Sequence, residues 1–303
     1  MQIRKMEKTD TDEVRELDQL VFSFEGDVKR SKDNVLACWQ LNPNGCFVAE
    51  HEGRIVGYAF SRIWGTVAWI GTFGVHPEFQ GRGIGKRLLR HSVEFLQETN
   101  CSIIGLETMA GSNYNVGFFA KIGFYLTNPT LILKKPLETT QKDVRNSQTY
   151  TLFSNLKKDV VIQDISNLSG SVLPNLDYQT EAENALTFGW GDTLFFGHPD
   201  PSGFSILRTM SRLEGITKDY LESHVLVLKD RSKKPFSQAL DSIEAFAWEN
   251  DFEGVAIPVN SFHSNVINWL LGRGYNVTRI RLRMLCKGRY RVRRGIELST
   301  WAM

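Results

Sequence analysis

The sequence predicts a mixed α/β (α+β) protein made of two similar units in tandem, each a mostly antiparallel, twisted sheet flanked by helices. Three observations predict it. Alternating apolar runs of strand length are interleaved with runs of helical period. A glycine-rich turn at residues 81–85 separates antiparallel-looking strands from a helix. The same strand–helix rhythm then returns at a constant offset of 151 residues.

The elements follow in order. After a short alternating segment near residue 3, Val14, Leu17, Leu20 and Val21 fall at helical spacing behind a Thr/Asp cap. Residues 46–63 form two alternating runs around Glu52-Gly53, a β-hairpin pattern. Residues 66–75 read as a third strand, which Gly71 and Gly74 weaken or bulge. Beyond the glycine turn, Ile84, Leu88, Leu89, Val93 and Leu96 mark one face of a helix. Residues 101–109 then read as a buried strand, and residues 116–124 as a short helix ending in glycine. The polar, threonine-rich stretch after residue 137 is a linker, which divides the chain into units 1–137 and 151–303 joined by residues 138–150.

The repeat is gapless over its best part. The offset that sets Gly123 on Gly274 also sets residues 89–98 on 240–249, 103–108 on 254–259 and 116–127 on 267–278. Identities are few: Leu89/Leu240, Phe95/Phe246, Glu98/Glu249, Gly123/Gly274 and Thr127/Thr278. Residues 46–58 resemble 196–208 after a shift of about one residue. Two unrelated pieces with the same rhythm are the alternative, and a constant register argues against it.

Composition bounds the class. Hydrophobic residues make up 42% and charged residues 23%, the balance of a globular protein, and the net charge of +2 by itself implies no electrostatic partner. No apolar run approaches the roughly 20 residues of a spanning helix, and the first residues lack the apolar stretch of a signal peptide. A cytoplasmic protein without a membrane partner is the expectation. Cys38, Cys46, Cys101 and Cys286 show neither CxxC spacing nor a companion histidine cluster. No metal site is therefore expected, and free thiols are favoured over a Cys38–Cys46 disulfide.

The segment from Val75 to Lys86 carries the strongest signal. Glycines at 81, 83 and 85 permit a tight turn and leave amide N–H groups uncovered at the start of a helix, where they attract an anion. Lys86, Arg87 and Arg90 occupy the first two turns, where the helix dipole disfavours positive charge. A phosphate or pyrophosphate on the loop removes that conflict. A P-loop needs GxxxxGK before Ser or Thr, and here Arg87 follows the lysine. A dinucleotide fingerprint needs a third glycine where Lys86 stands.

The run V-x-P-x-x-Q-G-R-G-I-G-K-x-L-L from Val75 to Leu89, a following strand, and Lys121-Ile122-Gly123-Phe124 together resemble the GNAT superfamily of N-acetyltransferases. The match extends from about residue 47 to 125, and more weakly through the repeat. The resemblance implies acetyl-CoA as co-substrate and an amine acceptor. Gln80, Gly81, Arg82, Gly83, Ile84, Gly85 and Lys86 would receive the CoA pyrophosphate. Phe73, Gly74 and Val75 would pair through their backbone with the pantetheine arm between two splayed strands. Asn115, Phe118 and Phe119 would flank it, and Asn113 or Asn115 would instead cap a helix in the plainer reading. An amide of the strand could polarise the thioester carbonyl. The second unit has Arg231 to Phe236 at the equivalent loop, with no glycine and with Pro235 lacking an N–H. That unit is expected to keep the fold without the cofactor, and to cover the site, shape access to it or form a homodimer.

Acetyl transfer needs a neutral amine, a stabilised oxyanion and a proton for the leaving sulfur. By the resemblance, Glu107 is the candidate general base; a strand-end glutamate in a salt bridge is the alternative. The superfamily's acid is a tyrosine where this chain has Phe119, so Tyr114 and Tyr125 are the candidate substitutes. Asp18, Glu25 and Asp27, near Phe22, Phe24 and Trp39, would suit an ammonium group as an acceptor lip, or form a solvated face. Arg279 to Arg294 holds eight Lys or Arg residues, alternating with apolar ones in R-I-R-L-R-M-L. The pattern is that of a half-buried strand, and a solvated sheet face or contact with acidic surface of the first half explains it better than nucleic-acid binding, so no nucleic-acid partner is expected. The expected activity is direct N-acetylation of a primary amine, of a small molecule rather than a protein. A non-catalytic acyl-CoA-binding regulator or interaction protein is the alternative. If position 119 faces the sulfur, Phe119→Tyr raises turnover; an unchanged rate would count against that placement.

Overall fold

The computed structural model describes residues 1–22, 30–137, 150–197, 199–214 and 217–301. Alternation and helical period resolve into elements much as the sequence suggests. Strand β1 (Gln2–Lys5) precedes α1 (Thr11–Phe22), which buries Val14 and Leu17. Helix α2 (Lys32–Leu41), which the sequence reading missed, starts where the Ser31 hydroxyl accepts from the Asn34 amide at 3.1 Å. The hairpin β2 (Phe47–His51) and β3 (Arg54–Trp64) turns through Glu52 and Gly53, both at positive φ. Then come β4 (Val67–Val75), α3 (Ile84–Glu98), β5 (Ile103–Met109), α4 (Asn113–Ala120), β6 (Tyr125–Leu126) and β7 (Thr130–Pro136).

The second half runs β8 (Tyr150–Leu152), α5 (Lys158–Val172), α6 (Gln179–Thr187), β9 (Thr193–Phe196), β10 (Gly203–Arg208) and β11 (Tyr220–Leu228). It continues with α7 (Lys233–Glu249), β12 (Gly254–Asn260), α8 (Ser264–Gly272), β13 (Asn276–Lys287) and β14 (Ile296–Ser299). Up to β13 this order follows the first half element for element, apart from the short β6. In both, one neighbouring pair is parallel, β4 with β5 and β11 with β12, in an otherwise antiparallel sheet.

The two halves do not form separate sheets, which corrects the expectation of two independent units. Among the described residues one mixed, mostly antiparallel sheet runs β1-β2-β3-β4-β5-β13-β7-β12-β11-β10-β9-β8, with β14 beside β11 and β6 beside β13. Each half lends its late strand to the other: β13 lies antiparallel to β5, and β7 lies antiparallel to β12. The exchange, with β13 also antiparallel to β7, joins the two halves into one continuous sheet. The linker expected at 138–150 lies outside the described residues except for Tyr150. One apolar core likewise crosses between halves, joining Trp64, Trp69, Leu89 and Phe119 to Ile165, Phe204, Val225 and Trp301. The four cysteines are free. No helix of the described residues is long and apolar enough to cross a membrane.

A buried charged cluster bridges the halves. Glu181 of α6 accepts from Arg62 of β3 at 3.3 Å and from Arg208 of β10 at 2.6 Å. Arg208 also donates to Nε2 of His224 at 3.2 Å, which leaves Nδ1 of the neutral ring to donate to Glu222 at 3.2 Å. Burial and Arg208 push the His224 pKa down against the pull of Glu181 and Glu222. Burial raises Glu181, but Arg62 and Arg208 outweigh it and hold the carboxyl well below its usual range. Below about pH 6.5 the unfolded histidine takes up a proton that the folded one resists, so folding stability falls with acidification. The melting temperature is therefore expected to drop between pH 7.5 and 5.5, and His224→Gln to shrink that drop. Each such proton is worth at most about 1.4 kcal/mol per pH unit. An undiminished drop in the variant would show that the titrating group lies elsewhere.

Candidate active site

Strands β4 and β5 pair only from Val67 to Trp69 and from Ile103 to Gly105. Between β3 and β4 the register passes from Ala59↔Phe73 to Ser61↔Ile70, so one extra residue falls on β4 around Gly71 and Thr72. The bulge expected at Gly71 is present, and beyond it the two strands diverge. Gly74 keeps the gap close to α1: a Cβ there would stand 3.0 Å from the Tyr58 ring and 3.1 Å from Val21.

At the mouth of the gap lies the glycine turn. Gly81 and Gly83 have φ of 76° and 77°, and no heavy atom lies within 4 Å of where their Cβ atoms would stand. Both glycines are exposed, so the turn can present backbone amides to a ligand. Gly83 caps α3, whose first turn carries no acidic residue. The Gln80 side chain donates to the Val75 carbonyl at 3.1 Å and ties the turn to the end of β4. Phe73, Gly74, Val75, Gln80, Gly81, Gly83, Ile84, Gly85, Lys86, Asn115 and Phe118 line one cavity of about 540 Å³, together with Tyr114. Arg82 does not line it; its guanidinium sits 5.0 Å from the Phe79 ring. Phe119 lies below, buried edge-on against Phe73, Phe118 and Phe124. Ser112, rather than either asparagine, caps α4, and Asn115 donates to the Thr108 hydroxyl at 3.3 Å.

A second cavity of about 380 Å³ continues from the first, because Phe22, Phe73, Met109 and Asn115 line both. Its walls include Trp69, Thr72, Phe119, Arg279, Arg281 and Trp301. The two arginines and Trp301 come from the second half, and sequence reasoning did not assign them to the site. The period-2 spacing of Arg279, Arg281 and Arg283 was the available signal: it puts all three on one face of β13.

Glu107 does not fit the part of a general base. Its side chain is fully buried, and its carboxylate accepts from Thr130 at 2.6 Å, Arg283 at 3.0 Å, Thr300 at 3.1 Å and the Trp301 amide at 3.0 Å. Four donors, one of them a guanidinium, leave it no capacity to accept a substrate proton. Burial alone would lower the Arg283 pKa, but Glu107, with Tyr290 and Glu297, raises it. Tyr125 is also misassigned: it stands on β6 and donates to the Gly288 carbonyl, outside both cavities. Tyr114 is at the groove, 76% exposed and stacked on Phe118. Asp18 is held by Arg30 at 2.9 Å and by the Tyr58 hydroxyl, and Trp39 donates to the Met6 carbonyl at 2.9 Å, so neither forms an acceptor lip. Phe24, Glu25 and Asp27 lie outside the described residues.

The corresponding gap of the second half is closed. Helix α7 begins at Lys233 and takes up the stretch where the turn would be, Pro235 included. Strand β14 then pairs antiparallel with Val225 to Leu228, in the space beside β11 where it leaves β12.

This arrangement, a parallel strand pair that splays below an exposed glycine turn, is the one that the resemblance to the GNAT superfamily implies. The sequence profile of the acetyltransferase (GNAT) family matches residues 11–124. An uncharacterized N-acetyltransferase of Methanocaldococcus jannaschii is 31% identical over 126 residues, which cover 41% of this chain and 78% of that protein. The chain belongs to the acetyltransferase (GNAT) family. At that level it is an acetyl-CoA-dependent acyltransferase acting on an amine. Two solved structures share the fold across nearly the whole chain. One is an acetyltransferase-class protein from Pyrococcus horikoshii (TM-score 0.71, 14% identical, 99% of this chain and 94% of that one). The other is a tandem GNAT protein from the clavulanic acid biosynthesis pathway (TM-score 0.61, 13% identical, 94% of this chain and 97% of that one).

Removing the Glu107 charge should leave Arg283 buried without its counter-ion, at a cost of about 3–5 kcal/mol. Glu107→Gln is thus expected to lower the denaturation midpoint sharply while the folded fraction keeps its pH–rate profile. An unchanged midpoint with loss of the ascending, acidic limb would restore Glu107 as the base.

Proposed function

We propose that the first half transfers the acetyl group of acetyl-CoA directly to a primary amine of a small molecule. We further propose that residues 1–137 and 151–303 are two copies of one fold, the second degenerate. The observation that carries this reading is the exposed glycine turn at Gly81 and Gly83, at the mouth of a gap that leads into a second cavity. When bound, acetyl-CoA would supply the thioester.

The chain's own groups account for the rest. The amides from Gly81 to Lys86, at the start of α3, would hold a pyrophosphate. The backbone of Phe73 to Val75, free of β5 beyond the bulge, would receive the arm's amides, and a β4 amide would polarise the thioester carbonyl. With Glu107 taken up by its four donors, the amine would lose its proton to solvent before it attacks, rather than to a carboxylate of the chain. The amine nitrogen then bonds to the acyl carbon as the C–S bond breaks, and its proton ends on sulfur, with the Tyr114 hydroxyl the candidate relay. A cavity of about 380 Å³, walled by β13 and Trp301, is of small-molecule size. The closed gap beside β14 and the helical start at Lys233 support one site per chain.

A second reading, a non-catalytic acyl-CoA-binding regulator, is favoured by the apolar Phe119 and the sequestered Glu107. Sustained release of CoA thiol in the presence of an amine separates the two. Calorimetric titration with acetyl-CoA is expected to give one site per chain, lost in Gly83→Asp, where a carboxylate would enter the amide face. No binding, or two sites, would overturn the proposal.

A further inference from the structure

We propose that the amine acceptor also carries an anionic group, a carboxylate or a phosphate, received by Arg281 and Arg279 of β13. This rests on the acetyl-transfer reading above and names the substrate class of that site. The charges lining the acceptor cavity are lopsided. Arg30, Arg212, Arg279 and Arg281 contribute to its wall, and among the described residues the one carboxylate there is Glu107. That carboxylate is consumed by Arg283, two hydroxyls and an amide. Arg30 is matched by Asp18.

Arg281 is not matched. It stands opposite Met109 of β5 and Thr130 of β7, in the middle of the exchanged strand. Its Nε is buried and has no hydrogen-bond partner among the described residues. A guanidinium held there without an acceptor is costly, and a ligand anion would offset that cost. Burial pushes the Arg281 pKa down, and Arg279 pushes it the same way, against Glu107 and Glu222, neither of which bonds it. Arg279, two residues along on the same face, is exposed and lines the same cavity. Two guanidinium groups on one strand face suit the planar, bidentate recognition of carboxylate or phosphate oxygens. The arginines also line a third cavity, together with Lys134 and Lys218. Its acids are Asp219 and Glu222, of which Glu222 is bonded to Lys218 at 2.8 Å. The anionic end of an acceptor would therefore lie away from the β4–β5 gap, with its amine toward Thr72 and Phe73.

The test uses the full chain, acetyl-CoA and four primary amines of similar length: 4-aminobutanoate, O-phosphoethanolamine, 4-amino-1-butanol and 1,4-diaminobutane. CoA release is followed for each. The expected kcat/KM is about ten- to a hundredfold higher for one of the two anionic amines than for the neutral or the cationic one, the worth of a charge-assisted hydrogen bond. The two anionic arms distinguish a carboxylate from a phosphate. In Arg281→Gln the anionic-to-neutral ratio should collapse toward one. Should that variant fail to fold, Arg279→Gln, at an exposed position, should lower the same ratio. Turnover that favours the neutral or cationic amine, or a ratio that survives both substitutions, overturns the anionic acceptor while leaving acetyl transfer intact. Absence of turnover with all four, together with no calorimetric binding of acetyl-CoA, overturns both.

Discussion

The buried pair of Glu107 and Arg283 is the contact on which the site depends. It joins β5 of the first half to β13 of the second, 3.0 Å apart, with Thr130 of β7 and the segment at Thr300 and Trp301 on the same carboxylate. The guanidinium lies against the Trp301 ring, 3.6 Å from its centroid, and against Tyr290. A buried pair of this kind is a weak source of net stability, but breaking it is expensive, so it fixes which strands can lie together. With β13 pinned at Glu107, Arg281 and Arg279 follow at two-residue steps along the same face. The pair that excludes Glu107 from proton chemistry is thus the one that brings the arginines to the cavity.

The two halves solve the same backbone problem differently. A parallel pair that diverges leaves unpaired amides and carbonyls along the inner edges of both strands. In the second half β14 supplies the missing partner for β11, from Val225 to Leu228. In the first half the corresponding stretch of β4, from Phe73 to Val75, faces a cavity instead. An extended, amide-bearing ligand there would do for β4 what β14 does for β11. The turn at the mouth differs in the same sense: glycines at positive φ keep its amides exposed, whereas the helix beginning at Lys233 absorbs the equivalent residues.

Local features of this architecture were legible in the sequence, and long-range ones were not. The hairpin at Glu52-Gly53, the bulge near Gly71 and the amide turn each follow from a few neighbouring residues with restricted backbone choices. The repeat offset anticipated the matching order of elements, but it fits either strand arrangement, since β13 beside its own half or the other has the same spacing. Glu107 was visible as an acid on a core strand, while its partner lies 176 residues away. Asp18 was misread for the same reason, its partners Arg30 and Tyr58 being set by tertiary packing. The arginines of β13 read as a solvated face or a contact with acidic surface of the first half; Arg283 makes such a contact with Glu107, but alternation reports two faces and not which one meets a cavity. Helix α2 had its signal in Ser31, a cap before Val35 and Cys38, and was missed in a stretch read only for carboxylates and aromatics.

A crystal structure of the full chain with acetyl-CoA tests the central claim most directly. The account predicts one molecule per chain, its pyrophosphate on the amides between Gly81 and Lys86, its arm between β4 and β5, and its acetyl group at the cavity faced by Arg281. Strand β14 should remain on β11. A ligand bound beside β11 with β14 displaced, or one bound away from the β4–β5 gap, would contradict the account.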